Sequence, residues 1–493
     1  MLAPWVSDEM NTVDLKDKRL NDRLREVLSQ LAGQPTASIP AACGGYAETA
    51  AAYRLFDNDK VGWENVLQPH ADATRCRIAA QPVVVLAQDT TEVDLTRPEQ
   101  QVEGAGPLDG GSRRGVFLHP LHAFTPDGTP LGSLHAVVWA RSDEPRPSKS
   151  ERSARRKHTP IEDKESHRWI DVFRHARQEA SRAPKTRMIC VADSEADIYE
   201  LLVDAQAEPQ DVEWVVRACQ NRALQPEQNE DAAASDDANP SANWLREQVL
   251  SEEVLFTQSI RIRGRKAKVS CSQRGRQQPR KSRMAEVEVR AARVTLRPPW
   301  RPDRRLPPVS VNVVLVREVN PPADEPPMEW ILVTNLPIDS IEQVRQAIQY
   351  YCVRWMIELL FRTLKSGCRV EVRRFEHVDR LLPCLAVYLI VAWRTLYVCR
   401  LGRSCPDISC EAIFEPAEWK SVYRVVRREA PPSTPPKLSE MVRMVAQLGG
   451  YVNRKRPDQP GPQTVWLGLQ RMHDMALCWQ LFGPEAKTEN TLV

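Results

Sequence analysis

Pro82-Val-Val-Val-Leu-Ala-Gln-Asp89 is an almost unbroken aliphatic run that closes on an acid. It does not alternate apolar with polar residues, so it reads as a strand covered on both faces, deep in a sheet. Met188-Ile-Cys-Val-Ala-Asp193 repeats the pattern and again closes on an aspartate. Between the two lie a Gly-rich loop (104–115), two strand-like runs (116–124 and 131–140) around the turn Pro126-Asp127-Gly128, and a helical segment near 163–182. A short helix over 196–205 follows the second run. Strand, hairpin strands, helix, strand, helix: this order predicts an α/β protein with a ribonuclease-H-like core.

An aspartate at the end of each of two buried strands costs desolvation unless it is paired or put to use. If the strands are neighbours, Asp89 and Asp193 share one end of the sheet, where two carboxylates repel. A divalent cation resolves the repulsion, and hard oxygen ligands suit Mg²⁺ or Mn²⁺. The alternative is that each aspartate caps the turn or helix that follows it.

A third piece lies in Tyr351-Cys-Val-Arg354-Trp-Met-Ile-Glu358-Leu-Leu-Phe-Arg362-Thr-Leu-Lys365. Its polar residues, Tyr351, Arg354, Glu358, Arg362 and Lys365, form one helical stripe, and Val353, Ile357, Leu360 and Leu364 form another. The polar stripe is either a ladder of ion pairs or a site. In a site, Glu358 would ligate metal while Arg354 and Lys365 held phosphates.

Outward from these segments, the first 60 or so residues read as helices. Leu20, Leu24, Leu28 and Leu31 make one apolar stripe, with Arg19, Arg23 and Arg25 outside it. Residues 46–56 and 63–80 make further helices, a module that either packs or binds DNA. Residues 207–325 interrupt the core scheme. They contain an acidic loop (227–239), a ribbon (261–283) with ten Lys/Arg and no acid, and strands over 287–296 and 309–316 separated by the Pro-rich 298–308. This reads as an inserted β-rich subdomain whose basic ribbon is a solvated face or a phosphate contact. A strand over 330–334, one long helix over 340–368 and another over 378–400 follow. After a Pro-rich linker (431–436) come amphipathic helices over 438–448 and 464–482.

Composition narrows the function classes. The chain has 493 residues, 42% hydrophobic, with 68 basic and 65 acidic side chains and a net charge of +3. That excludes wholesale disorder and fits two to four domains at roughly 150 residues each. The longest apolar stretch, 381–393 with its single Pro383, falls short of the ~18–20 residues of a membrane span. No secretory segment follows Met1, so a cytoplasmic protein is expected. The 12 cysteines are scattered without a CxxC pair, which argues against zinc and for reduced thiols. No Gly-Lys-Ser/Thr follows the Gly-rich loop, which removes a phosphate-binding P-loop.

Taken in order, these residues resemble the bacterial DDE transposases of the insertion-sequence-four superfamily, on the transposon-five (insertion sequence fifty) pattern. The family's Tyr, Arg, Glu and Lys spacing stands at Tyr351, Arg354, Glu358 and Lys365. Asp89 in Gln88-Asp-Thr-Thr91 and Asp193 in Val191-Ala-Asp-Ser-Glu-Ala-Asp197 match the settings of its two aspartates. Weaker echoes are Ala52-Tyr-Arg54, Asn320-Pro-Pro322, Glu329-Trp-Ile-Leu-Val-Thr334, and Gln447-Leu-Gly-Gly-Tyr451 with Arg454-Lys-Arg456.

The resemblance implies three parts: a helical DNA-binding domain (1–62), a ribonuclease-H-like catalytic domain (63–400) with its insertion at about 207–325, and a helical dimerisation domain (401–493). It implies that Asp89, Asp193 and Glu358 are catalytic acids holding two divalent ions, Mg²⁺ or Mn²⁺. The chemistry would be cut-and-paste transposition: nicking by water, a hairpin formed by the freed 3′-OH, and strand transfer. The partners would be terminal inverted repeats, target DNA and a second copy of the chain, acting at the bacterial nucleoid with no membrane involved. Trp330 matches a tryptophan that stacks on a flipped base, with core packing as the alternative, and Trp355 is a second candidate. Tyr351, Arg354 and Lys365 would hold phosphates near that base. Arg217 and Arg374 match backbone contacts and read equally as solvated arginines.

Ser194 departs from the arginine that often follows the family's second aspartate. A silent DNA-binding relative, acting as repressor or inhibitor, is the competing reading. A ribonuclease H or junction nuclease would share the core chemistry, but the basic insertion, the polar stripe and the C-terminal helices argue against it.

Overall fold

A computed structural model describes residues 3–143, 158–207, 212–226, 243–262, 264, 280–323, 325, 327–452 and 459–484. The acidic loop, most of the basic ribbon, the basic stretch 146–157 and Arg454-Lys-Arg456 lie outside the described residues.

Five helices come first: α1 (Pro4–Glu9), α2 (Lys18–Gly33), α3 (Ile39–Cys43), α4 (Tyr46–Phe56) and α5 (Trp63–Ala79). Asp17 caps α2 by accepting the Arg19 N–H; of the predicted stripe Leu24, Leu28 and Leu31 are buried and Leu20 is half-buried, and Val27 joins them in the core. The exposed-face arginines are not free: Arg19 pairs with Asp17, Arg23 with Glu26 and Arg25 with Asp22.

The strands are β1 (Val83–Gln88), β2 (Thr91–Asp94), β3 (Gly106–Pro107), β4 (Arg114–Phe124), β5 (Pro130–Trp139), β6 (Arg187–Ala192), β7 (Glu213–Arg217), β8 (Phe256–Ile262), β9 (Arg283–Leu296), β10 (Val309–Glu318) and β11 (Glu329–Thr334). Among them run α6 (Arg168–Arg182), α7 (Tyr199–Asp204) and α8 (Leu245–Ser251). After the last strand come α9 (Ile341–Val353), α10 (Trp355–Arg362), α11 (Val378–Ser404), α12 (Pro416–Arg427), α13 (Leu438–Leu448) and α14 (Pro462–Phe482).

Among the described residues the strands form one mixed 11-stranded sheet, in the order β2-β4-β1-β6-β7-β11-β10-β9-β8, with β3 and β5 each on β4. β1, β6 and β7 are parallel neighbours, while β4 and β5 are antiparallel to their partners. The sheet is covered on both sides, as the aliphatic runs require. Val84 and Leu86 of β1 enter one core with Trp169 and Phe173 of α6, and Val85 and Ala87 enter the other with Ile357 and Leu360 of α10.

The strands of the stretch 207–325 join the main sheet: β11 pairs with β7, and β10, β9 and β8 continue the same sheet outward. One expectation changes here. The expected single helix over 340–368 is divided. The Arg354 N–H bonds to Tyr351 O, and the Ile357 N–H to Arg354 O, tightening the turn around Arg354. Beyond Arg362 the chain widens into a π turn, Thr363–Gly367, closed by the Cys368 N–H on Thr363 O at 2.8 Å.

α11 is, by length and composition, one helix long and apolar enough to cross a membrane. The sequence reading missed that because it stopped at Trp393. In the fold, 83% of its most apolar stretch is buried inside the protein, where α11 serves as the central core helix.

The first helix is pinned by a buried acid. Glu9 accepts from His70 Nδ1 at 2.5 Å and from Arg77 Nη1 and Nη2 at 2.9 Å each. The Ser133 N–H donates to His70 Nε2 at 2.9 Å, which fixes the neutral ring with its proton on Nδ1. Burial alone would raise the Glu9 carboxyl, but His70 and Arg77 outweigh it and hold it at about 2. A carboxylate depressed from 4.5 to about 2 adds stability that is complete above its unfolded pKa and is lost as pH falls between those values. Melting temperature should therefore drop between pH 4.5 and 2, and Glu9→Gln should flatten that fall. The same change should cost about 3 kcal/mol at pH 7 by leaving Arg77 without its partner. Thermal melts of both proteins across that range check this.

Candidate active site

β1 and β6 are in parallel register, with Ala87 opposite Val191. Asp89 and Asp193 each stand two residues beyond that pair, so the acids leave adjoining strands at the same end of the sheet. Asp193 Oδ1 accepts the Glu195 N–H at 2.8 Å and caps the turn Ser194–Ala196. The capping role is thus real, and it uses one of the two carboxylate oxygens. Asp89 Oδ1 accepts the Thr90 N–H at 2.8 Å, and its Oδ2 accepts from Arg354 Nη1 at 2.8 Å. Burial pushes the Asp89 carboxyl up to about 7. Arg354 opposes that shift, while the charges of Asp193 and Glu358 reinforce it.

Glu358 reaches the same cation from α10, accepting from Arg354 Nη2 at 3.3 Å. Its side chain is 42% exposed, whereas that of Arg354 is 6% exposed. Burial works against the Arg354 charge, but Tyr351 and the acids Asp89, Glu358 and Asp193 outweigh it and keep the guanidinium firmly protonated. One strand end and one helix thus bring Asp89 and Glu358 to one arginine, and Asp193 stands at the end of the adjoining strand.

The rest of the polar stripe makes other contacts. Tyr351 turns inward and is fully buried, edge-on to Trp330 with ring centroids 5.6 Å apart. Trp330 is half-buried on β11, so in this structure it packs against the core. Trp355 lies under the Arg354 guanidinium at 4.7 Å. Arg362 donates to Gln463 of α14 at 3.3 Å, and Lys365 faces Glu371 at 3.8 Å. The Arg217 guanidinium donates to Glu329 O at 3.4 Å, and Arg374 is exposed. Of the basic ribbon, Arg283 is ion-paired with Glu318 and Glu325.

Several supporting residues escaped the sequence reading. Thr90 Oγ1 meets His119 Nδ1 at 2.8 Å and Arg168 Nε at 3.1 Å, and His119 Nε2 meets Gln88 Oε1 at 3.2 Å. These contacts brace the chain on both sides of Asp89. Arg168, on α6, also pairs with Glu195 at 3.1 Å and feels the Asp193 charge. A cation next to the second aspartate therefore comes from a distant helix, which no local motif could announce. Asp197 locks the far end of the Asp193 turn by accepting from the Cys219 and Gln220 N–H groups and from the buried Arg222. Asp197→Ala would leave Arg222 buried and unpaired, and should cost about 3–5 kcal/mol in a denaturant melt.

Among the described residues no group of three His, Cys, Asp or Glu side chains is drawn tightly enough together to hold a metal ion. The donor set still fits a hard divalent cation. Three carboxylates act on one another electrostatically, and a positive group already sits between two of them.

Comparison with known families gives three matches, with residues 62–162 outside all of them. Residues 2–61 match the family described as transposase DNA-binding, 163–382 the transposase DDE domain, and 390–477 the transposase Tn5 dimerisation domain. The DDE match spans Asp193 and Glu358 and begins after Asp89. The chain is also similar to a piggyBac transposase in a cryo-EM synaptic complex with hairpin DNA, at TM-score 0.36 and 9% identity over 99% of this chain and 79% of that one. That likeness is too distant to carry an argument.

The three matches define a DNA transposase of the DDE class, with DNA-binding and dimerisation segments flanking the domain that acts on DNA strands. The chain belongs to the Tn5-like DDE transposases of the insertion-sequence-four superfamily.

Proposed function

We propose that the protein is a cut-and-paste transposase whose active centre is Asp89, Asp193 and Glu358. The observation that carries this is that Asp89 and Glu358, from β1 and α10, share one buried arginine, while Asp193 leaves the adjoining strand β6 at the same end of the sheet. The reading of the core as ribonuclease-H-like is supported by the strand order β5-β4-β1-β6-β7, with three antiparallel and then two parallel strands.

Asp89, Asp193 and Glu358 would hold divalent cations, Mg²⁺ or Mn²⁺, two in the scheme proposed. Bound there, such ions would polarise the scissile phosphate and ease deprotonation of the attacking water or 3′-OH. The chain's own groups supply the rest. The brace Gln88–His119–Thr90–Arg168 and the Asp197 lock fix the two strand-end acids, so little reorganisation remains when DNA arrives. Arg354 and Lys365, with Arg217 and Arg374 further out, would hold the DNA backbone. Tyr351 would act from inside, positioning Arg354 and Trp330. Trp330 and Trp355 are the groups available to stack on an extruded base during hairpin formation.

The partners would be terminal inverted repeats and target DNA, synapsed by a dimer. α12–α14 bury their own core among Trp419, Met441, Val445 and Val465. Leu477, Leu481 and Phe482 remain exposed at the end of α14, at and just beyond the matched dimerisation segment, where a second copy would dock.

The placement of Arg354 between two acids is also what a silent DNA-binding relative would show, so the test must include cleavage. The protein is incubated with a labelled duplex carrying the inverted repeat that flanks its gene, with and without Mg²⁺. Nicked, hairpin and strand-transfer products that require metal are expected. Binding without any cleavage, with both ends supplied, would favour the silent relative.

A further inference from the structure

We propose that Arg354 is a built-in cation that occupies the acid centre until a divalent ion displaces it, becoming available to DNA phosphate only then. This rests on the reading of Asp89, Asp193 and Glu358 as metal-binding acids.

Arg354 joins carboxylates on two separate elements, 2.8 Å from Asp89 and 3.3 Å from Glu358, and its side chain is almost entirely withdrawn from solvent. Its backbone sits where α9 gives way to α10. From there the guanidinium keeps its i,i+4 pairing with Glu358 and also reaches Asp89 at the strand end. Its Nε is buried without a hydrogen bond.

The chemistry calls for a stand-in of this kind. Clustered, partly buried carboxylates without a cation are costly, and a guanidinium supplies charge that no ordinary pH removes. A divalent ion satisfies the same charge and needs the same oxygens. The two therefore compete, and apparent metal affinity falls by the fraction of molecules in which Arg354 has let go. The displaced fork matches phosphate geometry, so DNA and metal should each favour the other's binding. A purely structural ion pair predicts the opposite sign, since losing the arginine would then loosen the acids and weaken metal binding.

Mn²⁺ binding to the full chain, followed by the paramagnetic resonance signal of the free ion, separates these cases. Relative to wild type, Arg354→Gln should bind Mn²⁺ roughly tenfold or more tightly without DNA. Arg354→Lys, which keeps the charge but cannot span both acids, should bind severalfold more tightly. Circular dichroism checks folding, and if the Gln variant does not fold, the Lys variant decides. Equal or weaker binding by the folded variant overturns the proposal. If Asp89→Asn abolishes wild-type binding while the Arg354 variants bind as wild type does, only this proposal fails. If wild type shows no Asp89-dependent site at all, the metal-centre reading fails and this proposal falls with it.

Discussion

Glu358→Gln should reduce strand cleavage by at least about a thousandfold while transposon-end DNA still binds close to the wild-type level. Glu358 is 42% exposed and pairs with Arg354, so the isosteric amide should not disturb the fold. What it removes is one of three anionic oxygen donors, and hard divalent ions depend on that charge. Asp193→Asn should be as damaging, because the amide can keep the cap on Glu195 but not the charge. Single-turnover cleavage and a gel-shift assay on the same preparations check both halves. Loss of binding alongside cleavage would mean that the acid supports structure rather than chemistry.

The second large effect lies in the C-terminal helices. α13 and α14 cross so closely that a Cβ built on Gly468 would lie 1.8 Å from Val445 O, and one on Gly449 would lie 1.9 Å from Thr464 O. Both obstacles are backbone atoms, which cannot step aside as a side chain can. Gly468→Val should therefore force the helices apart at a cost of about 3 kcal/mol or more. The cluster of Met441, Val445 and Val465 would open with them. Expected results are early proteolytic nicking in the C-terminal segment and loss of dimers on end DNA. The adjoining α/β core should keep its own melting transition. Limited proteolysis and size-exclusion chromatography report each outcome, and an unchanged variant would show that the helices do not cross as described.

Legibility from sequence followed the range of the forces involved. The runs ending at Asp89 and Asp193 were readable because burial on both faces excludes polar residues, and that constraint is written locally. Their adjacency was an inference from element order, and the observed register agrees with it. The division of the helix at Arg354 was not readable, because Tyr351 to Lys365 has good helical periodicity throughout. The Arg354–Asp89 bond beside it joins residues far apart in sequence, which no local pattern records. Arg168 and the Glu9–His70–Arg77 cluster were missed for the same reason: their partners lie far away in sequence. The stretch 207–325 was correctly read as β-rich. Whether its strands form their own sheet or extend another depends on the β7–β11 pairing, which has no sequence signature.

The most direct test of the central claim is to ask where a metal sits on the chain. The protein, bound to transposon-end DNA, is loaded with Fe²⁺ in place of Mg²⁺, and ascorbate with peroxide generates radicals that cut the nearby backbone. The account predicts cuts clustered near residues 89, 193 and 358, suppressed together by excess Mg²⁺ and lost together in Asp89→Asn. Cuts confined to one of the three segments, or placed elsewhere, would contradict a shared three-acid metal centre.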